Sequence, residues 1–363
     1  ERVSIGPGQT FSLERECDRY RSIYYAGASG DFNPIHIDVE VGQAAGLGGI
    51  ILQGLCTLAW GVDAFARFLG DPGLVTGVKA RFSKPVRPED TVRFEGTVTE
   101  ASDGVVRARI VARNQSGDEV LKNVEVVGRN PRSVWVGQGE VGPARPADPG
   151  APREFAQAVK LLQQSRTELL STVREEMETN PLLESPGEPG AAQAPTAGSQ
   201  APAGEKGPGR TVLGRRWGPF RYVVGAEKMR EYAVAISGGV PSYASTGLPE
   251  ELHPVLHDET RAQRMRWGSM IAFPMFAVLF SIAPAQAALL DPAMEVDVFR
   301  VLHGEQEFEF REVLRPGDVL LTTGTLESHS QRGANTLFVI RTDSVNQHGR
   351  LAVRGRFTAF VRG

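Results

Sequence analysis

The chain has 363 residues, too many for one ordinary core and enough for two domains and a linker. Its 41% hydrophobic and 23% charged residues are those of a globular protein, and a net charge of -3 makes no electrostatic case for nucleic acid or an anionic membrane. The two cysteines, Cys17 and Cys56, lack metal-ligand spacing and form no disulfide framework, which fits a reducing cytosol.

The sequence opens at Glu1 without a Met, as expected of a fragment, a processed form or a truncated gene model, and no signal peptide is read in it. Residues 1–130 alternate short strand-like runs with one apolar helical stretch, and are expected to form the first domain. Near their start, Tyr25-Ala-Gly-Ala-Ser-Gly-Asp31-Phe-Asn33-Pro34-Ile-His36 puts a carboxylate and an imidazole on one short irregular segment. Acid–base work on a small molecule needs two such groups within reach of one water. Taken singly, Asp31 reads as a turn or cap residue and His36 as a structural histidine. The spacing predicts a buried helix over Ile50–Phe65 entered through Gly54, then strands over Thr91–Glu100, Val105–Asn114 and Lys122–Val127. Ser102-Asp-Gly104 is the hairpin turn between the first two.

Residues 131–209 are rich in Pro, Gly, Ala and Gln, the composition of a flexible linker. Within them, residues 154–184 read as a helical hairpin, with a capping box of Ser165 and Glu168 and a stop at Asn180-Pro181.

Globular character returns in residues 210–363. Tyr232–Tyr243 is expected to occupy the place of the acid–base segment without its groups. Ser269–Ser281 is the second apolar helix; the run through Met270–Pro284 contains Pro274 and Pro284 and falls short of a membrane span. Strands are expected near Leu302–Arg311, Leu320–Glu327, Thr336–Ser344 and Leu351–Arg362. His303 falls in the first of these and reads as structural. Arg87-Pro-Glu-Asp90 and Arg315-Pro-Gly-Asp318 each precede a β-rich tail, which marks an internal repeat.

The run Ala-Ser-Gly-Asp31-Phe-Asn33-Pro-Ile-His36 resembles the active-site segment of the MaoC-like (R)-specific enoyl-thioester hydratases. Leu302-His-Gly-Glu-Gln-Glu-Phe resembles the non-catalytic dehydratase domain paired with them. The resemblance implies an α+β fold of two hot-dog domains, each a central helix wrapped by an antiparallel sheet, joined by the partly helical linker. It implies Asp31 and His36 as the catalytic pair and Gly54, by its backbone N–H at a helix start, as donor to the thioester oxygen. Asn33, Gln53 and Leu55 are the neighbouring substrate-binding candidates. A neutral imidazole suits the base role, since its unperturbed pKa is about 6.5. The family commonly has His-Gly at the helix start, and here Gln53 replaces that histidine, removing a titrating group but leaving the Gly54 N–H. Residues 154–184 resemble the Gln/Leu-rich N-terminal region of the activator-dependent bacterial sigma factor, up to the Asn-Pro-Leu-Leu-Glu ending.

The reading is a cytoplasmic double hot-dog hydratase, reversible as a dehydratase, acting on acyl-CoA or acyl carrier protein thioesters. It expects no metal or other cofactor, no nucleic acid and no membrane partner, and a pseudo-dimer or homo-oligomer of hot-dog domains. The alternatives are a non-catalytic scaffold whose middle segment docks a protein such as RNA polymerase, and a hot-dog thioesterase.

Overall fold

Strict apolar–polar alternation makes strands with one buried face, and two blocks of such strands are present. A computed structural model of the chain describes residues 5–131, 213–238, 252–296, 301–333 and 335–361, all within one unit, Glu1–Val141 with Gly207–Gly363. The linker and the expected hairpin at 154–184 lie outside the described residues, residue 131 excepted.

In the first half, strand β1 (Thr10–Glu16) leads to helix α1 (Arg21–Ser29), a 3-10 turn (Pro34–His36) and the short helix α2 (Val39–Ala44). The long helix α3 (Gly54–Leu69) and strands β2 (Val75–Phe82), β3 (Thr91–Ser102), β4 (Val105–Asn114) and β5 (Glu119–Arg129) follow. Asp103 and Gly104 link β3 to β4 with φ of 47° and 79°, the two left-handed residues that a tight hairpin requires. Helix α3 is apolar on nearly every side, with Leu55, Leu58, Trp60, Val62 and Phe65 buried, and it ends on Gly70 in the left-handed conformation. Burying each such side chain contributes about 1.5–3 kcal/mol, so α3 is the main anchor of this half.

The second half repeats the order: β6 (Arg216–Val223), α4 (Ala226–Ile236), a 3-10 turn (Pro254–Leu256), α5 (Glu259–Ala262), α6 (Val278–Leu290), β7 (Val301–Phe310), β8 (Val319–Arg332), β9 (Asn335–Asn346) and β10 (Leu351–Val361). The helix expected over Ser269–Ser281 is displaced along the chain. Residues 269–273 are not helical, a 3-10 turn covers Pro274–Ala277, and α6 runs on to Leu290. The cause is Pro274, which bars the preceding residue from the helical region and is itself at home at a helix start. The helix expected from Ile50 likewise begins only at Gly54.

All ten strands form one antiparallel sheet in the order β1-β3-β4-β5-β2-β7-β10-β9-β8-β6. The halves join where β2 pairs with β7, Gly77 opposite Glu309 through Arg81 opposite Glu305. Helices α1 and α4 meet at the same junction. There the Tyr25 and Tyr232 hydroxyls lie 3.3 Å apart, fully buried, and Arg21 Nη1 donates to the Ala235 carbonyl at 2.8 Å. Burial pushes both tyrosine pKa values up, so the hydroxyls stay protonated. This is a double hot-dog fold. Among the described residues no helix is long and apolar enough to cross a membrane.

Candidate active site

Asp31 and His36 are brought together by a turn that builds itself from local hydrogen bonds. Gly30 closes α1 with φ of 79°, and Ser29 Oγ accepts from the Asp31 N–H at 3.2 Å. Asp31 Oδ1 accepts from the Asn33 N–H, and Asn33 Oδ1 accepts from the Ile35 N–H, each at 3.3 Å. Such side-chain caps are what Asp and Asn before a proline supply. Asn33 is therefore engaged in shaping the turn. Asp31 Oδ2 is left to face His36 Nε2 at 3.8 Å.

The tautomer of His36 follows from its other nitrogen. Nδ1 lies 2.7 Å from the Ile51 carbonyl oxygen, which only accepts, so Nδ1 donates and, in the neutral ring, Nε2 is the nitrogen with the lone pair. Nε2 and Asp31 Oδ2 are too far apart for a direct hydrogen bond and close enough to accept from one shared water. His36 is 8% exposed and Asp31 half-buried, so a small molecule can reach the pair without the pair being fully hydrated.

The segment entering α3 is stitched onto this turn. Beside the His36–Ile51 bond, the Ile51 N–H donates to the Ile35 carbonyl at 3.2 Å, and Gln53 Nε2 donates to the Asp31 carbonyl at 3.2 Å and the Ser22 carbonyl at 3.0 Å. Gln53 is 1% exposed, and its Oε1 is buried without a partner. Its amide is spent on holding the Asp31 segment against α1. Leu55 is buried in the core. Gly54 is the first helical residue of α3, where no earlier turn accepts its N–H. A Cβ at this position would lie 2.8 Å from the ring of Phe82, so only glycine fits here with the ring where it is. Sequence reasoning missed Phe82, whose contact with Gly54 crosses from β2 to α3 and has no local signal. It also missed the Ile51 carbonyl, which has no side-chain signature at all.

The second half holds the same scaffold with other groups in it. His253, as Asn33 does, accepts from the N–H two residues on (3.3 Å) to cap the turn Pro254–Leu256, and Asp258, like Asp38, caps the next short helix. The Ile271 N–H donates to the Val255 carbonyl at 3.0 Å, as Ile51 does to Ile35. Leu256 thus stands where His36 stands, Phe273 where Gln53 does, and Pro274, which has no N–H, where Gly54 does. The expected counterpart Tyr232–Tyr243 is corrected in its second part: Tyr232 on α4 stands against Tyr25 on α1, residues 239–243 lie outside the described residues, and the counterpart of the turn Pro34–His36 is Pro254–Leu256. The matching spacing of Pro34 to Asp38 and of Pro254 to Asp258 was its available signal.

A cavity of about 310 Å³ opens at this second place, lined by Leu252, His253, Leu256 and Phe273 and, from the first half, by Asp63 and Arg67. Its carboxylate, Asp63, accepts from Arg15 Nη2 at 2.8 Å and from Arg67 Nε at 2.9 Å. The thiols are not nucleophiles, since burial raises the Cys17 pKa to about 12 and drives that of Cys56 higher still. Among the described residues no group of three or more His, Cys, Asp or Glu side chains is arranged to hold a metal ion.

Comparison with known proteins agrees with the two halves. Residues 3–120 match the MaoC-like domain, residues 211–354 the FAS1-like dehydratase domain region, and residues 154–185, outside the described residues, give a weak partial match to the activator interacting domain of sigma-54 factor. A UPF0336 protein of Saccharopolyspora erythraea is 30% identical over 155 residues, 42% of this chain and 91% of that protein. The peroxisomal multifunctional enzyme type 2 of Drosophila melanogaster is 46% identical over 69 residues, 18% of this chain and 12% of that enzyme. Among solved structures, a MaoC domain dehydratase from Chloroflexus aurantiacus superposes with TM-score 0.57 at 13% identity, covering 100% of this chain and 99% of that one. A double hot-dog protein of Mycobacterium tuberculosis gives TM-score 0.58 at 13% identity, covering 98% and 96%.

Proposed function

The chain belongs to the MaoC-like dehydratase family, alongside the UPF0336 proteins, and from that premise we propose that it hydrates trans-2-enoyl thioesters reversibly to (R)-3-hydroxyacyl thioesters. The single observation that carries this reading is the His36 tautomer: Nδ1 is tied to the Ile51 carbonyl at 2.7 Å, so Nε2 faces Asp31 Oδ2 as an acceptor 3.8 Å away. One water held between them has its oxygen free to attack.

In this reading the water oxygen bonds to C3 as His36 Nε2 takes one of its protons, and the π electrons of the double bond move onto the thioester carbonyl. The resulting enolate oxygen is held by the Gly54 N–H at the head of α3, where the helix dipole adds to the hydrogen bond. His36 Nε2 then gives that proton to C2 while Asp31 Oδ2 holds the new hydroxyl, so the two carbons gain the elements of one water and the pair returns to its starting state. Phe32, Ile37 and Val39, exposed around the pair at 58%, 40% and 53%, form an apolar rim suited to an acyl thioester. The second half, lacking the histidine and the N–H, serves as the partner that completes the fold.

The test is loss of enoyl absorbance when the purified chain is incubated with crotonyl-CoA and a longer trans-2-enoyl-CoA, beside Asp31→Asn and His36→Ala. Activity lost in either variant supports the reading. Release of free thiol would instead indicate a thioesterase, and activity retained by both variants would sink the assigned pair.

A further inference from the structure

We propose that His303, in the half without an acid–base pair, is a positioning residue for the site in the other half: its ring seats Phe82 against Gly54 and so fixes the head of α3. The proposal rests on the hydratase reading only in taking the Gly54 N–H as the thioester donor.

Phe82 is the last residue of β2 and is half-buried, so β2 alone does not hold its ring. Its ring atoms lie 2.8 and 2.9 Å from where a Cβ on residue 54 would be. On the other side the His303 ring packs on it with centroids 4.7 Å apart, and His303 is backed by Phe357 at 4.1 Å. A continuous row of rings therefore runs from β10 through β7 and β2 to the first residue of α3, across the junction of the halves. His303 Nε2 is sealed from solvent without a hydrogen-bond partner, and burial pushes its pKa down to about 3. The imidazole is neutral near pH 7 and carries no charge to the site, so its influence there is exerted through packing.

The repeat supplies an internal control. Phe82 and Phe310 each lie five residues before the Arg of the repeated Arg-Pro, and Val75 and His303 each lie twelve before it. In the second half the aromatic is kept as Phe310, the helical turn starts at Pro274, and the prop is Val75. These three line a small void of about 20 Å³. Where the helix head has an N–H to aim, the prop is a flat ring; where it has none, a valine suffices.

The experiment compares kcat and KM of the full chain with those of His303→Ala and His303→Phe on a trans-2-enoyl thioester. His303→Ala is expected to lower kcat about tenfold with KM within about twofold, and His303→Phe, which keeps a flat ring between the two phenyl rings, to restore kcat. If the alanine variant does not fold, His303→Leu takes its place with the same expectations. An unchanged kcat in the truncated variant overturns the proposal, as does a phenylalanine variant as slow as the alanine one. An intact chain inactive on every thioester overturns the hydratase reading and this inference with it, whereas an active chain indifferent to His303 overturns this inference alone.

Discussion

The two halves agree bond for bond in their frame and differ in the few groups that could do chemistry. Asp90 Oδ2 accepts from the Arg87 N–H and Asp318 Oδ2 from the Arg315 N–H, both at 2.7 Å. Gln115 and Gln347 each bridge that aspartate to the first N–H of the next strand. The Leu52 N–H reaches the Val86 carbonyl at 2.8 Å and the Ala272 N–H the Leu314 carbonyl at 2.9 Å. Such bonds are needed twice, because each half must satisfy its own backbone before its helix can pack on the sheet. The acid–base groups are not repeated: where the first half has His36, Gln53 and Gly54, the second has Leu256, Phe273 and Pro274.

The largest expected effects exchange sign between the halves at one structural position. His36→Ala is expected to lower hydration by about 10²–10⁴ while costing only about 1–3 kcal/mol of stability, through the Ile51 carbonyl left without its donor. Leu256→Ala, which empties a position 3% exposed, is expected to cost about 2–5 kcal/mol of stability and leave the turnover of folded chain within a few-fold. Denaturant unfolding beside initial rates checks both. If Leu256→Ala abolished turnover in fully folded protein, the second half would be part of the chemistry.

Next in size is Gly54→Pro, which rebuilds the head of α3 in the image of the second half. Gln53 already has φ of -57° and ψ of 130°, as a residue before proline requires, and a proline is tolerated at the first helical position. The new ring presses on Phe82, which must yield at its half-buried end. Loss of the one N–H is expected to lower kcat by about 10²–10³, with the far-ultraviolet spectrum retained. A variant of ordinary speed would show that this N–H holds no developing charge.

What was legible in the sequence is what local chemistry fixes. The Arg-Pro-x-Asp turns declared the repeat because each closes on itself within three residues, and Asp103-Gly104 declared its hairpin because two adjacent left-handed residues need such side chains. The double hot-dog fold was implied by the family resemblance of the Asp31–His36 segment, and the nearness of the two groups by their place on one short segment. Less legible was whatever depends on distant partners. Gln53 reaches carbonyls 31 and 22 residues away in the chain, and nothing in its own neighbourhood announces that. The place of Leu256 was hard to see because the second half has replaced the histidine that marks the turn and kept only the spacing of Pro254 and Asp258. The start of α6 was misread because apolar spacing continues through Ser269–Phe273 although Pro274 resets the backbone.

A smaller effect is expected from Gln53→Leu, which makes this position apolar like Phe273. The Asp31 segment then loses its tie to α1, and two buried carbonyls lose a donor, at a cost of about 1–3 kcal/mol. The Asp31–His36 pair keeps its own turn bonds, so turnover is expected to fall only about tenfold, mostly in kcat. A loss as large as that of His36→Ala would make Gln53 a direct participant.

The smallest expected effect is none, and it tests most directly what separates the two halves. Leu256→Asn is no probe, but Leu256→His restores the imidazole at the matching turn, beside a cavity of about 310 Å³ that can admit a ligand. If an imidazole at this turn were sufficient, the variant with His36→Ala would recover hydration. It is expected to stay inactive, because the helical turn there begins at Pro274 and offers no N–H to an enolate, and Phe273 offers no amide to hold the preceding loop. Recovery in the double variant would show that the base alone sets the rate. Recovery only after Pro274→Gly is added would show that the helix head and the histidine must be present together, which is the distinction the two halves embody.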